Sequence, residues 1–118
     1  MTKDEMKQRT KKMALRVIEM VRHLPVSRVS EVITKQILRS ASSVGANYRA
    51  ACRARSRAEY LAKLGIVEDE ADETSYWLEL VVEANLIPAI RLEPLMKEVD
   101  EITAMIVATI KTTKASSD

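Results

Sequence analysis

The densest chemistry in this 118-residue chain is Arg49-Ala-Ala-Cys-Arg53-Ala-Arg55-Ser-Arg57, four arginines within nine residues. A guanidinium is a planar fork that pairs bidentately with phosphate or carboxylate oxygens, so such a cluster suits an anion, including a nucleic-acid backbone. Ser56-Arg57-Ala58-Glu59 reads as a capping box, with the Ser hydroxyl on the N3 amide and the Glu reaching back to the cap. That helix start would bring free amides and a positive dipole end beside the arginines. A second basic set, Lys3, Lys7, Arg9, Lys11, Lys12 and Arg16, interleaves with Met6, Thr10 and Met13. It fits either the solvated face of an amphipathic helix or a surface that tracks phosphates. No aromatic residue accompanies it, which argues against base stacking of the single-strand-binding kind. The candidate nucleic-acid-binding residues are therefore Arg49, Arg53, Arg55 and Arg57, with Lys11 and Lys12 as additions.

These arginines have a competing use. Residues 1–58 carry 14 Lys and Arg against 4 Asp and Glu, and residues 59–118 carry 5 against 13, a split hidden by the formal net charge of +2. Opposite halves attract, so the cluster could instead hold the acidic stretch Glu68–Glu73 of a neighbouring copy. Within that stretch Glu70-x-x-Glu73, and further on Glu98-x-x-Glu101, resemble the paired acidic motifs with which all-α nucleotide pyrophosphatases hold Mg²⁺. The same spacing is common on exposed helix faces, so a hydrolase is only a remote alternative. Di-iron bundles need Glu-x-x-His on a helix. The only histidine, His23, has Glu19 four residues before it and no carboxylate three before. Cys52 has no histidine near it in sequence and reads as a small buried or interface thiol. Gly45 and Gly65 are isolated, so there is no phosphate-cradling glycine loop. The expectation is a protein without catalytic residues, metal or cofactor.

The elements that must position these residues are helices. Apolar residues make up 47% of the chain, aromatic residues only 3%, and there are two Gly, three Pro and no Phe, a composition that disfavours both β-sheet and disorder. One cysteine allows no internal disulfide and no CxxC site, as in a reducing compartment. The longest uncharged runs, Ser40–Tyr48 and Ile102–Ile110, are far too short to span a membrane, and no apolar leader follows the charged start. A single cytoplasmic domain over residues 1–118 is expected.

The first helix is predicted over about 3–23, with Met6, Thr10, Met13, Val17, Met20 and Leu24 at 4-3-4-3 spacing and Pro25 as its stop. Residues 26–30 read as a link. The second helix runs over about 31–53 on the stripe Ile33, Ile37, Ala41, Val44, Tyr48 and Ala51, with small residues around Gly45 that permit a close neighbour or a bend. The third, about 57–84, holds Tyr60, Leu64, Val67, Ala71, Thr74, Leu78 and Val81 in register, and Asn85 and Pro88 close it. The fourth, about 91–112, takes Pro94 in its first turn and has the stripe Leu92, Leu95, Val99, Ile102, Ile106 and Thr109 or Ile110; residues 113–118 form a polar, frayed tail. Four long helices with short links predict an all-α, antiparallel up-down-up-down bundle. Leu15, Leu61, Ile66, Trp77, Leu80 and Val82 lie outside the stripes, so a second apolar face points to self-association in a cyclic homo-oligomer.

Two segments carry a resemblance. Gln36-Ile-Leu-Arg39-Ser-Ala-Ser-Ser43-Val-Gly-Ala-Asn47-Tyr-Arg-Ala resembles the helix 2 signature of the 23S ribosomal RNA intervening-sequence proteins. Arg55-Ser-Arg57-Ala-Glu59-Tyr-Leu-Ala-Lys63-Leu, with Glu70-Ala-Asp72-Glu73-Thr-Ser-Tyr76-Trp77-Leu78-Glu79-Leu80, is similar to that family's helix 3. Many members have Pro where this chain has Gly45 and a Glu-Gly pair where it has Ala50-Ala51; this chain resembles the branch with Gly-Ala-Asn-Tyr-Arg. The resemblance implies an up-down bundle in a homopentameric ring with no catalytic residues. The chain is also similar to the accessory proteins of diversity-generating retroelements, which implies nucleic acid and a reverse transcriptase, or another protein, as partners.

Overall fold

The computed structural model describes residues 1–116, and they form four helices: α1 (Lys3–Val21), α2 (Arg28–Cys52), α3 (Arg57–Glu83) and α4 (Ala89–Ala115). There is no strand among the described residues. α1 packs on α2, α2 on α3, α3 on α4, and α4 returns to α1. The molecule measures 51 × 22 × 20 Å, about one long helix in length and two helix diameters across.

The apolar stripes account for this packing. Met6, Met13, Val17 and Met20 of α1 are buried against Ile33, Ile37, Ala41, Val44, Tyr48 and Ala51 of α2, Leu64, Val67, Ala71, Leu78 and Val81 of α3, and Leu92, Leu95, Val99, Ile102 and Ile106 of α4. Leu24 and Tyr60, at the ends of their stripes, are half-buried. The buried hydroxyls of Thr10 and Thr74 are both satisfied, the first within its own helix and the second across two helices. Thr10 donates to the carbonyls of Met6 and Lys7, and Thr74 donates to Ser40 across α3 and α2 at 3.0 Å. Gly45 of α2 faces Thr10 of α1 so closely that an added Cβ would lie 3.2 Å from the Thr10 hydroxyl. Close approach of α1 and α2 explains the glycine.

The helix ends follow local hydrogen bonding, and here the sequence reading needs correction. α1 stops at Val21 rather than His23, because the amides of His23 and Leu24 tighten onto the carbonyls of Met20 and Val21, three residues back, before Pro25. α2 starts at Arg28, not Glu31: Ser27 caps it by accepting from the Ser30 amide, so most of the expected link is helix. At α3, Ser56 accepts from the Glu59 amide as expected, but the Glu59 carboxylate reaches one residue further, to the Arg55 amide. α3 ends with Asn85 in the left-handed region (φ 59°) and with bonds from Leu86 to Val81 and from Asn85 to Val82, a Schellman closure. α4 starts at Ala89, which moves Pro94 from the first turn into the second. It continues to Ala115 through the expected tail, with the Thr109 and Thr113 hydroxyls bonded to carbonyls four residues back. Residues 117 and 118 of that tail lie outside the described residues.

Two of the six apolar residues outside the stripes, Leu15 and Ile66, are exposed, whereas Leu61, Trp77, Leu80 and Val82 are half-buried. The Trp77 indole N–H donates to Glu73 and its ring meets Tyr76 edge-on.

Candidate nucleic-acid interface

Charge is distributed by helix. α1 carries six Lys and Arg against three acids and α2 four against one, whereas α3 carries two against eight. The two basic helices are neighbours. α1 and α2 approach closely where Gly45 faces Thr10, and Thr10, Ala14, Ser42, Gly45 and Ala46 floor a groove between the two helices of about 270 Å³. Its walls are Lys7, Gln8 and Lys11 from α1 and Arg49 from α2. On α1, residues 7 and 11 are one turn apart and share an edge; on α2, the step from 42 through 45 and 46 to 49 does the same. Lys11 and Arg49 are exposed and have no ion-pair partner among the described residues, while Lys7 sits 3.8 Å from Asp4 on its outer side. Small residues on the floor and cations on both walls make a site for a linear anion with its charges at the rim. The groove has no aromatic side chain, so it offers backbone contacts and no stacking platform.

The structure brings together only part of the sequence-level cluster. α2 ends at Cys52, so the four arginines do not share a helical face. Arg49 joins Lys11 in the groove. Arg53 and Arg55 line a separate depression of about 460 Å³ with Glu59 and Lys63, at the corner between α2 and α3. Arg57 turns toward α4 and donates to the carbonyls of Thr113 and Lys114, at 2.6 and 2.9 Å, satisfying acceptors that a helix end leaves open. Lys12 lies on the opposite edge of α1 with Arg9, Arg16 and Glu98, on the α4 side. Lys7 is the groove residue that the sequence reading placed only in the broad basic set of the first helix; its spacing from Lys11 was the available signal.

The acidic motifs are occupied from within. Arg39 of α2 donates to both Glu70 and Glu73, and Arg9 of α1 donates to both Glu98 and Glu101. Each arginine thus sits between the two carboxylates of one Glu-x-x-Glu pair. The Glu73 carboxyl is held below the usual carboxylate range first by the Trp77 indole and then by Arg39. Arg9 does the same for Glu98 against the opposing effect of burial. Among the described residues no group of three or more His, Cys, Asp or Glu is placed to hold a metal ion.

The whole chain can then be compared with known proteins. Residues 2–108 match the 23S rRNA-intervening sequence protein family. A crystal structure from Bacteroides thetaiotaomicron, described as a protein of unknown function from the S23 ribosomal protein family, is 36% identical. The match covers 94% of this chain and 99% of that one, with a TM-score of 0.86. Nothing among curated proteins matches the chain. The chain belongs to the 23S rRNA-intervening sequence protein family, an all-α, four-helix protein.

Proposed function

We propose that this chain is a non-enzymatic, cytoplasmic helical bundle, its helices running up-down-up-down, that assembles into a cyclic homo-oligomer and binds RNA or DNA phosphates. The observation that carries the proposal is the α1–α2 groove, in which Lys7, Lys11 and Arg49 face one another over a floor of small residues. A phosphodiester backbone matches it in charge and shape, and the lack of aromatic lining makes the binding sequence-tolerant. The described helices are too short of apolar residues to cross a membrane, which fits a partner in water. The test is the double charge reversal Lys11→Glu with Arg49→Glu. Affinity for a mixed-sequence single-stranded RNA is expected to fall about tenfold or more at moderate salt, with the mass in light scattering unchanged. Unchanged affinity would overturn the proposal.

A second reading, a structural or protein-binding scaffold, draws on a different observation: Leu15, Val29, Val32, Ile66, Tyr76 and Ile90 are exposed. Under it, replacing Leu15 and Ile66 by Ser lowers the assembled mass and leaves RNA affinity per chain unchanged. A Mg²⁺-dependent hydrolase gains no support, because the carboxylates it would need are engaged by Arg9 and Arg39.

A further inference from the structure

At the other end of α1, away from the basic groove, the chain forms a second cavity of about 240 Å³. Arg16 and Met20 of α1, one turn apart, and His23 just past its end meet Arg91, Leu92 and Leu95 of α4 there. The floor is apolar: Met20, Ile87, Leu92 and Leu95 are each 5% exposed or less. The rim is cationic. Glu19, the one acid at the rim, is taken by Arg22 at 3.2 Å and by His23 at 3.4 Å. Arg16 and Arg91, from two different helices, have no side-chain hydrogen bond or ion pair among the described residues, and Arg16 is half-buried. Glu98, whose charge Arg16 also feels, is already held by Arg9, so the Arg16 donors are left to water or to an added anion.

We propose that this cavity binds a small organic carboxylate with an apolar body. The carboxylate bridges Arg16 and Arg91, and a ring or short branched chain lies on Met20, Leu92 and Leu95. The volume is below the roughly 300–1,000 Å³ of drug-sized sites, which limits the occupant to a fragment-sized molecule. An inorganic anion would leave the apolar floor uncovered, and a neutral ligand would offer the two guanidinium groups no charged acceptor. This site is independent of the phosphate groove, with which it shares no residue.

The test is methyl and amide NMR of the full chain titrated with benzoate and, separately, with its neutral isostere benzamide. Benzoate is expected to shift the Met20, Leu92 and Leu95 methyl signals with a dissociation constant on the order of 1 mM, and benzamide at least tenfold more weakly. Arg91→Gln, a change at an exposed position, and Arg16→Gln are each expected to weaken benzoate about fivefold or more while leaving benzamide unaffected. Equal response to the two compounds, shifts spread over other surfaces, or full benzoate binding by the double arginine variant would each overturn the proposal.

Discussion

Arg9 and Glu98 stand 89 residues apart in the chain, yet Arg9 donates to both oxygens of the Glu98 carboxylate, from Nε at 2.7 Å and Nη2 at 2.8 Å. The same Nη2 reaches Glu101 at 2.7 Å. This fork ties the first helix to the last at a half-buried position, where water screens it only partly. Arg39 repeats the arrangement on Glu70 and Glu73, between α2 and α3, at a more exposed site. Residues three apart on a helix share an edge, so each Glu-x-x-Glu pair presents two carboxylates to one guanidinium.

Removing one partner of the Arg9–Glu98 pair leaves the other without its bidentate bond. Arg9→Gln and Glu98→Gln are each expected to cost about 1–3 kcal/mol in urea unfolding. The double variant should cost less than the sum of the two, because the coupling is shared. Arg9→Lys should recover only part, since an ammonium cannot span both oxygens. Strict additivity would show that the pair contributes nothing.

Acid should weaken the fold through Glu98 and Glu73. Both carboxyls ionise below their ordinary range in the folded chain, Glu98 chiefly through Arg9 and Glu73 chiefly through Trp77. The unfolded chain therefore binds more protons. Their stabilisation is present above the ordinary carboxyl value of about 4.3 and is lost as pH falls through the folded values. Unfolding free energy from denaturant titrations should be flat in these groups from about pH 6 to 8 and fall below about pH 4.5. Glu98→Gln should flatten the acid limb. An acid limb as steep in that variant as in the parent would contradict this.

The two glycines should respond differently to alanine. Gly65 has open space where its Cβ would be, so Gly65→Ala should stabilise the chain by about 0.5–1 kcal/mol through helix propensity. At Gly45 the new methyl would lie 3.2 Å from a Thr10 hydroxyl fixed by two carbonyls. Gly45→Ala is expected to be about 1 kcal/mol less favourable than Gly65→Ala. In a Thr10→Ala background the difference should close, as thermal or urea unfolding would show.

Arg57 should act on the end of α4 and not on nucleic acid. Arg57→Ala is expected to speed amide hydrogen exchange in the last turn before Ala115 several-fold, without changing RNA affinity. A fall in affinity with no change in exchange would place Arg57 in the binding surface.

The helical stripes were readable because burial follows spacing: the repeating 4-3 steps from Met6 to Met20, Ile33 to Ala51, Leu64 to Val81 and Leu92 to Ile106 are the buried positions. The ends were less readable. Ser27 competes as a cap with the residues around it, and the length of α4 depends on bonds made by Thr113 and on Arg57, a partner 56 residues away. The arginine cluster was legible as density and not as direction. Once α2 stops at Cys52, successive arginines diverge, and only Arg49 points into the groove with Lys11. The clasps of Arg9 and Arg39 join residues from different helices, and no periodicity within one helix reveals which shoulder faces which.

The most direct measurement is an RNA-binding isotherm, with a mixed-sequence single strand, repeated from low to physiological salt. Three cations in the groove, Lys7, Lys11 and Arg49, predict a log–log slope of about −2 per engaged chain, from roughly −0.7 per phosphate contact. Replacing Lys11 and Arg49 together by Gln should bring the slope to about −0.7. Absence of binding at low salt, or a slope that the double substitution does not change, would contradict the phosphate groove.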